Sequence, residues 1–513
     1  VQGVEFDSVT VAEALKLDPV DVEERLEQLD RVHRLVTATA EVELPDGTPA
    51  MRYRFVHVLY QNASFAALGP SRRTALSRTL AESLEARWGR RAAEIAGQLA
   101  ILFERGRRFE KAAEYFLVAA EHADRLYASQ EAVSLARRAL EALARADENA
   151  RAALEPRLLE VLGNGLQRLG AHDEARRAYE EALAKLAADA WQRRASIHRK
   201  IGAVWTVQRR YAEGGASFLA AEEALDRIEE RGTAWWAQWV QVQLDRAWAF
   251  YWQNDVPGIE ELVARVRPSV EEKGSALQRT QFTAVQVLGH LRRDRYRVGD
   301  ETMALSQVHV DHALASGDAY QIGLARFQRG FCHMWRDELD EAETNLRAAA
   351  EIAEAIEDRV LQSRCYSYLT VTARKRGDEE ATKRWNAKAA EVARAAGMLE
   401  YTAVALGNEA WMALRRGESG GAERLGREGL AVLESLPIAH GALDWIVAMP
   451  LFAVLVGQER FEEAADIARI VLAPDAHALP EELHAALEAV VGAPGDAGAF
   501  TRARELATEH RYV

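Results

Sequence analysis

Cysteine is almost missing from this sequence. Cys332 and Cys365 are the only two in 513 residues, and neither belongs to a CxxC or a Cys/His spacing, so no disulfide framework or zinc site is indicated. A reducing compartment is expected. Long apolar runs are missing too: none approaches the roughly 20 residues that span a bilayer, and no charged-then-apolar segment opens the chain. The expectation is a cytoplasmic protein without membrane contact. There is no surplus of basic charge, since 65 Lys and Arg face 79 Asp and Glu for a net charge of −14. Phosphate-backbone affinity comes from Lys and Arg releasing counterions, so nucleic acid is not the expected partner. No GxxxxGK[ST] occurs, so no loop of that kind can cradle a triphosphate. Neither ATP hydrolysis nor a bound cofactor is expected of this chain.

What is present falls into two textures. Residues 1 to 70 mix helix and strand signals. Val9 to Leu17 is a short amphipathic stretch, Asp18-Pro19 caps a second helix over Val20 to Val32, and Leu35 to Leu44 and Met51 to Phe55 flank Pro45-Asp46-Gly47-Thr48, a hairpin signal. With Phe55 to Leu68 helical, this is the element order of a winged helix. Asp21, Glu23, Glu24, Glu27 and Asp30 place acid where a groove-reading helix needs Arg, Lys, Asn or Gln. The chain begins at Val1 in mid-pattern and reads as a fragment, the module being truncated at its N-terminus.

From residue 71 onward an Ala-rich helical period takes over. A small residue returns at Ala132, Ala175, Gly214, Ile259, Gly299, Ala342, Thr382, Ala422 and Ala464, at steps of 39 to 45 residues. In most copies an apolar or aromatic residue stands four places later, as in Ala175 and Tyr179, or Ala342 and Leu346. A small residue lets two antiparallel helices approach, and the larger one is expected to fill the gap to the next pair. The pattern resembles the tetratricopeptide repeat with longer units. The fold class expected is all-α: a tetratricopeptide-like helical-hairpin solenoid with an N-terminal winged-helix module carrying a small β-hairpin. The expected boundaries are 1–70 for that module, 71–145 for a helical junction and first repeats, 146–475 for the array, and 476–513 for a proline-broken tail with a capping helix near Phe500 to Glu509.

The segment Tyr53-Arg54-Phe55-Val56-His57-Val58-Leu59-Tyr60, followed by Arg72-Arg73 and by Arg105-Gly106 to Phe116, resembles the winged-helix-to-repeat junction of bacterial STAND signalling ATPases, the group that contains the maltose-regulon activator. The resemblance implies a parent in which an upstream nucleotide-binding domain of the same chain is gated by the winged helix and a repeat sensor. The parent would be an ATPase, or be linked to a kinase or cyclase. ADP or ATP would be its cofactor, and His57 a nucleotide sensor facing the ADP phosphates. The alternative for His57 is a helix-start histidine satisfied locally. Two further functional readings stay beside the sensor: a tetratricopeptide scaffold that only docks proteins, and a DNA-binding transcriptional regulator.

In repeats of this class the first helix of each pair lines the concave surface. That rule projects Trp248, Tyr251 and Trp252 from one unit, Phe331, Met334 and Trp335 from another and Trp411 from a third into one ligand groove, for a protein partner or a small-molecule inducer. The competing reading is inter-helix packing. Arg374 and Lys375 project to the same side as a solvated charge pair. Gly417-Glu418-Ser419-Gly420-Gly421 matches GxSxG but falls between repeat helices, where an inter-helix turn is expected rather than a nucleophile elbow. His309, Asp311 and His312 offer two imidazoles without an identifiable third metal ligand. Glu160 stands where a chaperone-tail carboxylate clamp needs a base. No enzymatic activity is expected.

Overall fold

The computed structural model describes residues 3–436 and 442–513; Val1, on which the fragment reading rests, lies outside them. The chain divides into two compact units, one ending at Ala190 and the other beginning at Trp191. The first opens with β1 (Glu5–Asp7), α1 (Ser8–Leu15), α2 (Pro19–Arg31), β2 (Val36–Glu43) and β3 (Pro49–Phe55). The three strands pair antiparallel in the order β1-β3-β2, with an irregularity between Ala38 and Ala40. Local chemistry accounts for the ends. Asp7 accepts from the Thr10 amide at 2.7 Å to start α1, and Asp18 accepts from Val20 at 2.8 Å with Pro19 at the first helical position, satisfying donors that a helix start leaves open. Gly47 takes the positive φ of 84° that the hairpin requires. Ala12, Val22, Leu26, Val36 and Tyr53 form a small core.

Helices then follow: α3 (Val58–Ala67), α4 (Pro70–Trp88), α5 (Ala96–Arg105), α6 (Phe109–Arg125), α7 (Ser129–Leu143), α8 (Glu148–Arg168) and α9 (His172–Lys185). Arg87 of α4 ties the small module down by ion pairs to Glu13 of α1 and, at 3.1 Å, to Asp46 of the hairpin.

The second unit is a run of antiparallel pairs. They are α10 (Trp191–Val207) with α11 (Tyr211–Asp226), α12 (Thr233–Trp252) with α13 (Val256–Lys273), and α14 (Ala276–Arg293) with α15 (Asp300–Ser316). Next come α16 (Ala319–Trp335) with α17 (Leu339–Ala355), α18 (Arg359–Arg376) with α19 (Glu379–Ala395), and α20 (Leu399–Arg415) with α21 (Ser419–Glu434). The run closes with α22 (Asp444–Gly457) and α23 (Phe461–Val471), then α24 (Glu481–Gly492) and α25 (Ala497–Glu509). Each helix from α10 to α23 packs on its partner, and the first helices of successive pairs also touch one another. This is a tetratricopeptide-like helical-hairpin fold, all-α apart from the one sheet.

The repeat motif works inside a pair and not between pairs as expected. A Cβ on Gly163 would stand 2.4 Å from the Tyr179 ring, one on Gly202 2.8 Å from the Phe218 ring, and one on Gly330 2.8 Å from Leu346. The larger residue of the second helix therefore lies on a glycine of its own first helix. Gly299 departs from the pattern: it is exposed at the head of α15, and the buried side chains Thr302 and Ser306 follow it. Ala342 is fully buried and its carbonyl lies 3.1 Å from the Gly330 Cβ position. Ala342→Phe is expected to wedge α16 from α17 at a cost of about 1–3 kcal/mol, with hydrogen exchange loosening around residues 325 to 375. Loosening spread evenly over the unit would mean one closed core.

The tail beyond α23 is not a loose appendage. The stretch 473–479 lies across the loop after α14, where Arg295 donates to Ala476 O at 2.9 Å and the Ala478 amide donates to Arg295 O at 2.8 Å. Phe500 packs its ring 4.7 Å from Phe461, and Tyr512 is buried beside Trp445 and His477.

Candidate functional site: an aromatic cleft on five first helices

Side chains three and four residues apart share a helix face. Trp248, Tyr251 and Trp252 share one on α12, Leu324, Phe327, Gln328 and Phe331 one on α16, and Arg364 and Tyr368 one on α18. With Leu288 and Leu291 of α14 and Tyr401 of α20 they line a single narrow cleft, so five consecutive first helices contribute to one wall.

The walls are mostly rings. Phe331 meets Tyr368 edge-on at 4.7 Å, Phe327 lies 5.8 Å from Tyr368, and Tyr368 lies 6.3 Å from Tyr401. On α12, Tyr251 stands edge-on to Trp252 at 5.2 Å and to Trp248 at 6.2 Å. Behind Tyr251 the Arg292 guanidinium stacks at 4.4 Å from the ring centroid, and the Tyr251 and Tyr296 hydroxyls meet at 3.3 Å. Burial pushes the phenols of Tyr368 and Tyr401 well above the usual tyrosine range, so both stay protonated and able to donate. Arg364 is half-buried at the cleft, its guanidinium 5.9 Å from the Trp248 ring.

Of the residues expected in the groove, Trp248, Tyr251, Trp252 and Phe331 come together here, the first three half-buried and Phe331 5% exposed. Met334 is fully buried, and Trp411 is 2% exposed beneath Arg374 and Arg415; neither lines the cleft. Trp335 belongs to a second aromatic cluster with Tyr296, Trp445 and His477, the last at 5.1 Å. Arg374 and Lys375 are not a solvated pair. Both are buried, Lys375 paired with Asp337 and Arg374 donating to backbone carbonyls. Arg364, Tyr368, Tyr401 and Phe327 escaped the sequence reading, although all stand on first helices.

The other motifs resolve locally. Ser419 opens α21 after the left-handed Gly417 that ends α20, which is an inter-helix turn. His309 is fully buried, Asp311 is exposed and bonded by Gln307, and His312 meets the Thr283 hydroxyl at 3.0 Å; among the described residues no third ligand joins them in a metal-binding group. Both cysteines are buried, and burial pushes the Cys332 thiol up to about 12, far from a reactive thiolate. Burial likewise pushes His309 down to about 4, below the roughly 6.5 of an unfolded histidine. The unfolded chain then binds more protons between those values, so stability is full above pH 6.5 and falls as pH drops toward 4. By pH 4.5 the loss from this ring should reach about 2–3 kcal/mol. Urea unfolding at pH 7 and 4.5 should show a correspondingly smaller difference in His309→Leu.

His57 caps α3. Its Nδ1 accepts from the Leu59 amide at 3.1 Å, which places the proton of the neutral ring on Nε2. The ring is exposed, and so are Val56, Val58, Leu59 and Tyr60 at 55, 47, 64 and 45%. No residue of α3 is buried. On α2 the exposed side chains include Asp21, Glu24 and Glu27, a face that repels phosphate.

No protein-family model matches the chain, and no curated protein matches it in sequence. Among solved structures, a Rap protein complexed with Competence and Sporulation Factor is 12% identical with a TM-score of 0.47, over 78% of this chain and 99% of that one. A STAND protein with a tetratricopeptide repeat sensor, PH0952 from Pyrococcus horikoshii, is 13% identical with a TM-score of 0.43, over 96% of this chain and 63% of that one. NprR in complex with its cognate peptide NprX is 13% identical with a TM-score of 0.40, over 61% of this chain and 83% of that one. At such identity and TM-score these likenesses assign neither ligand nor partner to the chain.

Proposed function

We propose that this chain is a non-catalytic sensor: the aromatic cleft takes a small-molecule inducer or a segment of a partner protein, and the repeats pass its occupancy to the N-terminal module. The observation that carries this reading is the convergence of rings from five successive first helices on one cleft, with Trp248, Tyr251 and Trp252 only half-buried. Partly exposed aromatic surface of this kind is characteristic of binding sites. The N-terminal module is read as a winged helix that contacts a nucleotide-binding domain. Support comes from α3, a largely apolar helix with nothing buried, and from the exposed residue His57, whose Nε2–H can donate to a phosphate oxygen.

Fluorine NMR on 5-fluorotryptophan-labelled protein tests the cleft, with the Trp248 and Trp252 resonances assigned by phenylalanine replacement. Blocked apolar dipeptides such as N-acetyl-Phe-Leu-amide should shift these two resonances saturably and leave that of Trp411 in place. Uniform shifts, or none, would remove the cleft as a binding site. The same chain titrated with ATP and magnesium should give no saturable heat, because it carries no phosphate-binding loop. Micromolar binding would overturn the assignment of nucleotide chemistry to a separate domain.

A further inference from the structure

Arg364 differs from several other arginines of its unit that are not fully exposed. Arg374 donates to two carbonyls, Arg209 pairs with Glu400, and Arg329 reaches the Ser306 hydroxyl at 3.2 Å. Arg364, half-buried at the cleft, makes neither hydrogen bond nor ion pair with any described residue, and its guanidinium stands 5.9 Å from the centroid of the Trp248 ring. Two more donors stand beside it in the same state. Tyr368 and Tyr401 are each 4% exposed, both line the cleft, and neither hydroxyl is hydrogen-bonded within the described residues. The nearby acids are engaged elsewhere, Glu400 by Arg209 and Asp358 by the Leu361 amide at 2.7 Å. A guanidinium and two phenols thus share one cleft with no carboxylate bonded to them among the described residues, the buried amide of Gln328 being a further polar group in the lining.

We infer that the cleft recognises a small, flat, apolar molecule bearing a carboxylate, with Arg364, Tyr368 and Tyr401 as its anion-binding donors. This rests on the sensor reading and specifies its ligand. Charge selects the class: a guanidinium at the cleft repels a cation, and its planar fork matches the two oxygens of a carboxylate. The lining selects the body, because the rings of α12, α16, α18 and α20 favour an apolar plane and offer nothing to a hydrated tetrahedral anion.

The test is titration of the labelled protein with benzoate, phenylacetate and indole-3-acetate, each beside its uncharged amide, and with inorganic phosphate. At least one acid should shift Trp248 and Trp252 saturably and bind about tenfold tighter than its amide. Arg364→Gln should bring the acid down to the affinity of the amide and leave the amide unchanged, and Tyr401→Phe should weaken the acid several-fold. Acid and amide binding equally, or an Arg364→Gln variant that keeps the preference, would overturn the anion inference while leaving the cleft as a site. No saturable shift by any acid up to about 10 mM, or a shift only with phosphate or with a peptide ending in a free phenylalanine carboxylate, would overturn the small-acid class. Blocked dipeptides failing as well would take the sensor reading with it.

Discussion

Truncating Trp411 to alanine is expected to cost about 3–5 kcal/mol of stability, the range for a fully buried large aromatic, and to change binding at the cleft only through that loss. The indole is 2% exposed in α20, with the guanidinium of Arg374 5.7 Å and that of Arg415 5.2 Å from its centroid. Trp248→Ala should behave oppositely, costing about 1–2 kcal/mol, because a half-buried ring has less transfer energy to lose, and removing the Trp248 wall of the cleft. Denaturation midpoints and dipeptide titrations on the two variants separate the roles. Equal stability losses would make Trp248 a core residue too.

The contrast between these two tryptophans shows where the sequence stops being legible. Trp248, Phe331 and Trp411 each stand eleven positions before the small residue of their repeat, Ile259, Ala342 and Ala422, so a constant register assigns them to one face. The cleft does not keep that register. On α12 it is lined eleven to seven positions before the small residue, on α16 eighteen to eleven, on α18 eighteen and fourteen before Thr382, and on α20 by Tyr401, twenty-one before Ala422. Each pair is rotated relative to the last, as solenoid repeats are, so the lining position slides toward the N-terminus of each first helix. Periodicity in one sequence reports the repeat but not that rotation. Arg364 and Tyr401 were therefore invisible as site residues, and Trp411 looked like one.

Elsewhere the local signals sufficed. Asp-Gly marked the hairpin, Asp18-Pro19 the start of α2, and the small-then-larger spacing most of the pairs. The strand Glu5–Asp7 was missed because three residues carry no alternation, and its pairing with Arg52–Arg54 is a long-range contact. Trp335 was obscured for a similar reason: the stretch that carries His477 arrives some 140 residues later, and nothing near Trp335 announces it.

That returning stretch sets the second large expectation, for Arg374. Its guanidinium donates to Ile446 O at 2.9 Å, to Tyr512 O at 2.7 Å and to Asn408 Oδ1 at 3.3 Å. No carboxylate pairs with it among the described residues, and burial pushes it down to about 9, still protonated at neutral pH. A cation held only by carbonyls is costly to bury, yet removing it orphans two buried acceptors at about 1–3 kcal/mol each. Arg374→Ala should therefore lose about 3–5 kcal/mol, adding a cavity to those two carbonyls. Arg374→Met fills most of the volume and relieves the buried charge, so its loss should be about 1–3 kcal/mol. The two variants should nevertheless share one local effect, since neither can hold Tyr512 O: amide exchange over residues 505 to 513 should accelerate in both. If exchange there stays slow in Arg374→Met, the tail is docked by the rings of Trp445, His477 and Tyr512 alone, and the guanidinium serves the helices around it.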